Sequence, residues 1–568
     1  MKSYLFSFSL ILLFSAQLSA QFPIVNLHWA KDFGGPGLSI STSIAVDSRG
    51  HTTVVGVFSD SIDIDPGPNQ LWYSSKGNFD VFIQQLDING DFLWGKTIGG
   101  RGMVNGLDVE VDPIGNIYVV GDFTDTVDFD PGNGNYDLIS NGRSDAFLLK
   151  LDTSGDFVAA YSFGSASLET IYDMHIDDNL NIYLSGSFSD STDFDLSAMS
   201  QILVSNGGQD CFIAKWDAAA NLVWAKSIGG TTNDVGVSIG VDQHSNIYAC
   251  GGFGNTVDFD PGNGIDSISA VGGLYDAFLL KLDSNGNYIW SKSYGGPSND
   301  LAYSLAIDTN DVLIVGAFVD SINLNPGVSN PVYLKSMGNT DGFVLRVNSQ
   351  GMWNSANQFG GPGQDICYKV SANPTMDNYY VIGSFNVSAN VVTYPVFQQL
   401  VSEGAGDSFI IKFDQGDLPL WVGQIGGPGD EFLNAVDANN IEVRFAGRIA
   451  DSCDVDPTAV VQRIGFSGSS HALVALMLDQ TVGLKENDLI NSQIKIFPNP
   501  ATNILNIEFD DKLNGWLRIF NSEGRRVFEK LIQDQNSIQI GLDYPSGMYF
   551  LKVEGNDQSY SKPFIIQH

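Results

Sequence analysis

The sequence predicts an all-β fold: a seven-bladed β-propeller closed by its N-terminal strand, followed by a small C-terminal β-sandwich. Three observations predict it. A unit of about 65 residues recurs seven times, each copy marked by a Gly inside a β-rich stretch: Gly56, Gly121, Gly186, Gly251, Gly316, Gly383 and Gly447. Two residues later stands an apolar side chain: Phe58, Phe123, Phe188, Phe253, Phe318, Phe385 and Ile449. The copies are also offset at the ends, so the first begins with the strand that the last one lacks. A unit that reads as four strands cannot bury its apolar faces alone and must stack on its neighbours.

The chain opens with residues 1–20, which read as a secretion signal. Lys2 gives the positive start, residues 6–14 an apolar run, and Leu18-Ser19-Ala20 a small-residue cleavage site. The run is too short to span a bilayer, and no later stretch is long and apolar enough, so no transmembrane segment is expected. The repeats occupy 21–480.

In the second copy, residues 107–111 alternate apolar and polar and read as strand A. A turn at 112–116 leads to strand B, residues 117–123, rich in β-branched and aromatic side chains. A loop of about twenty residues precedes strand C (146–151), and Asp152-Thr153-Ser154-Gly155 turns into strand D. Strand D carries Trp29, Trp94, Trp224, Trp290 and Trp421 in the better copies, with Ala159 and Ser355 in two others. Trp353 stands two residues from its expected place, so the junction at Ser355 reads as irregular. Strand C carries Phe82, Phe147, Phe212, Phe278, Phe343 and Phe409, with Leu473 last. These aromatics read as filler between blades. The last copy ends after strand C (472–478), and the first begins with a strand D at 26–33, which can complete blade seven.

The pattern Val-Asp-x-x-Gly-Asn-Ile-Tyr-Val-x-Gly, seen over 111–121, resembles the SBBP-type propeller repeats of exported bacterial surface proteins. The resemblance implies a fold and an extracytoplasmic setting, with no defined activity.

Residues 493–568 break the repeat. Phe497-Pro498-Asn499-Pro500 opens them, an alternating strand follows at 504–507, and Gly547-Met548-Tyr549 and Lys562-Pro563-Phe564-Ile565-Ile566 come near the end. Periodicity predicts an antiparallel sandwich of about seven strands. The same motifs, in the same order, resemble the type A C-terminal sorting domain of the type IX secretion system. That resemblance implies recognition by the secretion machinery and export through the outer membrane. It also implies cleavage in the linker 481–492, then attachment to the surface or release. Pro563 interrupts the usual last strand, which bears on its local pairing.

The composition narrows the partners. A net charge of −37, nearly all of it in the repeats, repels nucleic acid and anionic membranes. It suits cations or basic partners. Cys211, Cys250, Cys367 and Cys453 share no repeat position and no metal spacing; they read as isolated thiols, with a Cys211–Cys250 bridge as the alternative.

The B–C and D–A connections should share one face of the ring, and the long, variable B–C loops are where binding is expected. They carry matched carboxylates: Asp63 and Asp65, Asp128 and Asp130, Asp193 and Asp195, Asp258 and Asp260, and Asp454 and Asp456. Clustered hard oxygens suit Ca²⁺; otherwise no cofactor is called for. The competing reading, which the spacing favours, is that Asp-Pro-Gly makes a turn whose carboxylates accept local N–H groups. The D–A loops add Glu169, Asp234, Asp300, Asp365 and Asp430. Four B–C loops start with Asp-Ser/Thr and, usually, an apolar residue: Asp60-Ser61-Ile62, Asp125-Thr126-Val127, Asp190-Ser191-Thr192 and Asp320-Ser321-Ile322. This resembles the O-glycosylation acceptor of bacteria using this secretion system and implies Ser61, Thr126, Ser191 and Ser321 as sugar acceptors. A duplicated turn explains the pattern equally well.

Catalysis finds little support: the six histidines share no repeat position, and no nucleophile elbow, phosphate loop or His-Glu-x-x-His appears. The expectation is a non-enzymatic binding, adhesion or scaffold protein with a glycan or surface-protein ligand. The alternative is a polysaccharide-acting hydrolase or lyase. Unequal carboxylates in one blade, deep in the central channel, would favour the enzyme, and matched ones in many blades favour binding or plain structure.

Overall fold

In the computed structural model the chain divides into two compact units, Met1–Thr481 and Val482–His568. The structure describes residues 25–479, apart from 198, 310, 328–330, 373–377, 394–395, 440–441, 459–460 and 466–469. Of the second unit it describes 494–497, 504–521, 526–542, 544, 547–555 and 559–566. The signal at 1–20 and the linker at 481–492 lie outside the described residues.

Unit one is a seven-bladed propeller. Blade one runs Ser39–Val46 (strand A), Thr52–Phe58 (B), Asp80–Leu86 (C) and Phe92–Gly100 (D), an antiparallel meander. Blades two to six repeat it over 104–163, 170–228, 235–294, 300–359 and 365–425. Blade seven takes A, B and C from 432–479, and the N-terminal strand Val25–Phe33 supplies its D. That strand pairs antiparallel with Ser470–Asp479, from Val25↔Asp479 to Phe33↔Ala472. The expected closure is thus realised. Among the described residues no helix is long and apolar enough to cross a membrane.

The repeat Gly of strand B sits where a Cβ would enter the next elements: at Gly56 it would lie 2.0 Å from the Ile40 carbonyl and 2.5 Å from the Phe82 ring. The strand-C Phe therefore packs flat across strand B. Strand D carries a bulge in each intact copy, such as that between Gln85 and Leu86 opposite Trp94 and Phe92. It explains Trp353, which pairs with Val347 in the place Phe92 takes in blade one, leaving Ser355 in the Trp position.

Trp29, Trp94, Trp224 and Trp290 of strand D each cover the C–D turn of the following blade. Trp29 donates to the Ile88 carbonyl (3.0 Å), Trp224 to Ser284 (3.3 Å) and Trp290 to Ser349 (3.2 Å). The turn residue beneath is a Gly with positive φ: Gly90, Gly155, Gly286 and Gly351, at 72–76°.

Each B–C loop forms a two-stranded ribbon, such as Ser61–Asp63 with Trp72–Ser74. The ribbon reaches back to strand D of the preceding blade: Asp128 pairs with Gly99, Asp63 with Gly34, Asn323 with Gly295 and Asp454 with Gly426. The apolar residue inside the Asp-x-Asp pattern, such as Ile64, Phe129, Phe194 or Phe259, is wholly buried. Phe194 packs 4.9 Å from Phe163 of the blade before it. The ribbons are staples between blades.

The four cysteines are buried free thiols, so the Cys211–Cys250 bridge does not form. The reason is placement: Cys211 packs at the interface of blades three and four, against Gly236, and Cys250 at the interface of blades four and five, in a cluster with Ile314 and Phe318.

Unit two departs from the expected count. Its described residues form one five-stranded sheet, and not about seven strands, because two long strands each do the work of two. Ile504–Asn521 pairs Ile494–Phe497 along its first half and Gly547–Gly555 along its second. Arg526–Gly541 follows it throughout, with register shifts between Glu508 and Gly515. Leu505, Ile507, Leu517, Ile519, Ile532, Ile540 and Leu551 share one core. Pro563 pairs with Phe550 in Ser559–Ile566, an edge strand, where a missing N–H is tolerated.

Candidate functional site

The matched B–C carboxylates are used alike in five blades. Asp128 Oδ1 accepts from the Asp130 (3.1 Å) and Tyr136 (2.9 Å) N–H groups, and Asp130 Oδ1 from Gly132 (2.8 Å). Asp63, Asp193, Asp258 and Asp454 accept from Leu71, Gln201, Asp266 and Gln462 at 2.8–2.9 Å. Asp65, Asp195, Asp260 and Asp456 cap the residue two further on. Blade five does the same with Asn323 (3.1 Å from Asn325 N), which carries no charge. No three His, Cys, Asp or Glu side chains converge as a metal site among the described residues. The geometry is that of a turn.

Ser61, Thr126, Ser191 and Ser321 each open a ribbon. The preceding Asp60, Asp125, Asp190 and Asp320 hold φ of 57–63°, a conformation Asp tolerates better than most residues. The third residue, Ile62, Val127, Thr192 or Ile322, is buried. Ser191 is exposed and the other three are half-buried.

The D–A carboxylates need one correction. Gly230, Gly296 and Gly361 donate N–H to Asp234, Asp300 and Asp365 at 2.7 Å, as Ser165 does to Glu169 at 2.8 Å. In the last copy the acceptor from Gly427 is Glu431 (3.1 Å), while Asp430 pairs with Arg448 (2.9 Å). An extra acidic residue beside the position hid the register. The sequence reading also missed a second ring at the start of strand C: Asp80, Asp145, Asp210, Asp276, Asp341 and Asp407, all buried.

The largest departure from sevenfold equality lies in the central channel. Each strand A bulges, as between Gly106 and Asp108, and the residue after the bulge points inward. Down the copies that position reads Ser43, Asp108, Asp173, Ser238, Ser304, Lys369 and Ala435. From there to the A–B turns the strands enclose a cavity of about 660 Å³, whose lining includes Asp108, Glu110, Asp173, His175, Lys369 and Asp437. The sequence expectation placed binding on the B–C side; this cluster lies on the A–B side.

Two carboxylates are tied into the wall. Asp108 accepts from Ser43 Oγ (2.7 Å) and Met174 N (3.1 Å). Asp173 accepts from Ser238 Oγ and Ile239 N (both 2.8 Å), and Lys369 Nζ reaches it across the channel at 3.2 Å. Glu110 faces His175, 4.0 Å from its Nδ1, with a third of its side chain open to the channel. Burial, then the charge of Asp173, push Asp108 up to about 6. Burial raises Glu110 well above the usual range, with Asp108, Asp173 and Asp437 adding to it. Burial lowers His175 and raises Asp437. Burial works against the Lys369 charge, but Asp173, Asp108 and Glu110 outweigh it and hold the ammonium protonated. Four carboxyls facing one ammonium leave a cavity that favours cationic or hydroxyl-rich groups.

Comparison with known proteins adds the following. Residues 495–567 match the model of the secretion system C-terminal sorting domain. The chain is 22% identical over 253 residues, 40% of its length, to an uncharacterized WD repeat-containing protein of Acanthamoeba polyphaga mimivirus, and the match covers 18% of that protein. It is 26% identical over 222 residues, 36% of its length, to the regulatory protein FlaEY of Caulobacter vibrioides, covering 22% of it. The chain thus spans about a fifth of the length of the curated relatives it matches. The crystal structure of the polysaccharide lyase Uly1 superposes with a TM-score of 0.35 at 12% identity, covering 77% of this chain and 90% of that one. With the ring and the terminal match together, the chain is a seven-bladed β-propeller ending in a type IX secretion C-terminal sorting domain, which directs it across the outer membrane to the surface or the medium.

Proposed function

We propose that the exported ring is a binding, adhesion or scaffold module built on SBBP-type repeats, and that it takes a small cationic or hydroxyl-rich group in its central channel. The observation that carries this is the contrast between two sets of carboxylates. The matched set in the B–C loops is spent on turns, whereas the unlike set of Asp108, Glu110, Asp173, Lys369 and Asp437 converges on one cavity. The test is an array of glycans and matrix proteins probed with the mature protein, in Ca²⁺ and again in EDTA. Binding weakened at least tenfold by Glu110→Gln, and indifferent to EDTA, supports the channel. Binding lost in EDTA would move the site to the Asp-rich ribbons, and no binding in either buffer would leave a scaffold role.

A second reading is a polysaccharide-acting hydrolase or lyase. It draws on Glu110, a carboxyl raised by burial and placed among unlike carboxylates, as a general acid requires. Against it, each oxygen of Asp108 and of Asp173 already accepts a hydrogen bond from the channel wall or from Lys369, which holds both carboxylates against the wall. Release of reducing ends or unsaturated products from acidic or neutral glycans would favour the enzyme.

A further inference from the structure

Blades five and six meet at two acidic side chains whose turn hydrogen bonds engage one oxygen of each, leaving a second oxygen that neither a turn nor an ion pair explains. Thr340, at the end of the loop before strand C of blade five, forms a parallel bridge with Gln364, just before strand A of blade six. The next residues, Asp341 and Asp365, therefore stand side by side on one face, their backbones roughly 4.8 Å apart. Both are wholly buried. Asp341 Oδ2 accepts from Met337 N (3.1 Å) and Gln358 Nε2 (2.6 Å), and Asp365 Oδ2 accepts from Gly361 N (2.7 Å). The Oδ1 atom of each has no hydrogen-bond partner among the described residues. No lysine, arginine or histidine there makes an ion pair with either. The titratable neighbour is Cys367, whose thiol burial pushes up, with Asp365 and Asp341 adding to the effect.

Two bare carboxylates in this position would repel each other and leave two buried acceptors unsatisfied, an arrangement costlier than any single lost hydrogen bond. One proton removes both faults, because the O–H on one Oδ1 donates to the other. We propose that Asp341 and Asp365 share a single proton across the blade interface, making this junction a pH-responsive seam of the ring. The folded chain takes that proton from the buffer, and the unfolded chain returns it. The seam is separate from the channel and does not rest on the function proposed above. The junction of blades two and three is the internal contrast: there Asp145 and Glu169 have every oxygen engaged by Ser140, Asn141, Ser165 or Thr192. Burial, with the Asp341 charge adding to it, lifts Asp365 to about 7, in keeping with the geometry.

The test compares the full mature protein with Asp365→Asn and Asp341→Asn. In each variant the amide oxygen can keep the backbone N–H bond while the NH₂ replaces the shared proton. Between about pH 4 and pH 7 the folding constant of the wild type should fall, relative to either variant, by up to tenfold per pH unit. A wild type and variants running parallel across that range overturn the proposal. So does a wild type whose midpoint drops in EDTA while the variants' do not, since a cation would then hold the pair. The infrared carboxyl band of the unmodified protein gives a reading that needs no variant. A protonated buried carboxyl at pH 7 that loses intensity in Asp365→Asn supports the shared proton, and no such band at pH 7 overturns it.

Discussion

Replacing Gly90 by Ala tests how one blade locks onto the next. Gly90 holds φ of 76°, and a Cβ there would lie 2.6 Å from Trp29 Cδ2 and 3.0 Å from Cε2 and Cε3. Trp29 is buried, and its Nε1 is bonded to the Ile88 carbonyl in the same turn, so the ring cannot slide aside without losing that bond. The left-handed conformation costs a non-Gly residue about 1–2 kcal/mol, and overpacking adds about 1–3 kcal/mol, so the expected loss is about 2–5 kcal/mol. The assay is urea unfolding, read as a lowered midpoint at unchanged slope. The control is Ala220→Gly. Ala220 occupies the same repeat position at φ 59°, in the one of these turns whose preceding strand D carries Ala159 in place of a Trp. Relief of strain there offsets the entropy gained by the unfolded chain, and the net change should stay within about 1 kcal/mol. A loss below about 1 kcal/mol for Gly90→Ala, or equal losses for both variants, would refute the Trp-on-Gly argument.

Asp128→Ala should cost about 1 kcal/mol in the same assay by removing the acceptor for Asp130 and Tyr136, while Asp128→Asn should be close to neutral. A Ca²⁺ site would instead suffer from both, with a midpoint that responds to EDTA. Burial raises Asp300 and Glu431 to about 8. The folded state then holds protons that the unfolded chain, titrating near 4, has released, so stability should fall as pH rises from about 4 to 8, by about 1.4 kcal/mol per group per pH unit; midpoints at pH 5 and 8 check it. Arg346→Met should cost about 3–5 kcal/mol, because it leaves the buried Asp417 and the half-buried Asp308 carboxylates without their guanidinium partner at 2.8 and 2.6 Å. Adding Asp417→Gly and Ser355→Trp, which restores the usual Trp and Gly, should recover most of that loss in thermal unfolding.

The ring and its closure were legible because they rest on counting: the Gly period, the four-strand unit and a strand D displaced to the front. The ribbons were half legible. Asp-Pro-Gly announced a turn, but that Asp128 also pairs with Gly99 of the preceding blade needs the ring itself, since no local pattern links residues of different copies. The polar face of strand A was visible in the alternation Leu107-Asp108-Val109-Glu110. Its destination was not, because only the bulge and the closed ring turn Asp108 and Glu110 into channel walls. Reading one strand-A position down all copies, from Ser43 to Lys369 and Ala435, would have flagged it. Among its described residues the sorting domain has fewer strands than expected, because a strand bent through two pairings looks, in periodicity, like two strands.

The departures from the repeat fall into two kinds, and the difference bears on function. Where a Trp of strand D is missing, the next blade compensates. Where Ala159 replaces the Trp, the next C–D turn carries Ala220 in place of Gly, and Trp216 of strand C packs 5.8 Å from Phe163. Ser355 faces Asp417, which fills the gap with a carboxylate bonded to Arg346 and Tyr379. Each exception is repaired within contact distance, as expected where packing is what is being maintained. In the channel, Lys369 bonds Asp173 and Asp108 bonds Ser43, yet nothing in the packing asked for these charges: Ser43, Ser238 and Ser304 line the same level with a hydroxyl alone, and Ala435 with a methyl. A wall that can be closed with Ser or Ala in four blades does not need a lysine in a fifth. Charge placed where the frame does not require it points to a ligand, and for that reason the channel, and not the better populated Asp-rich rim, is where binding should be sought first.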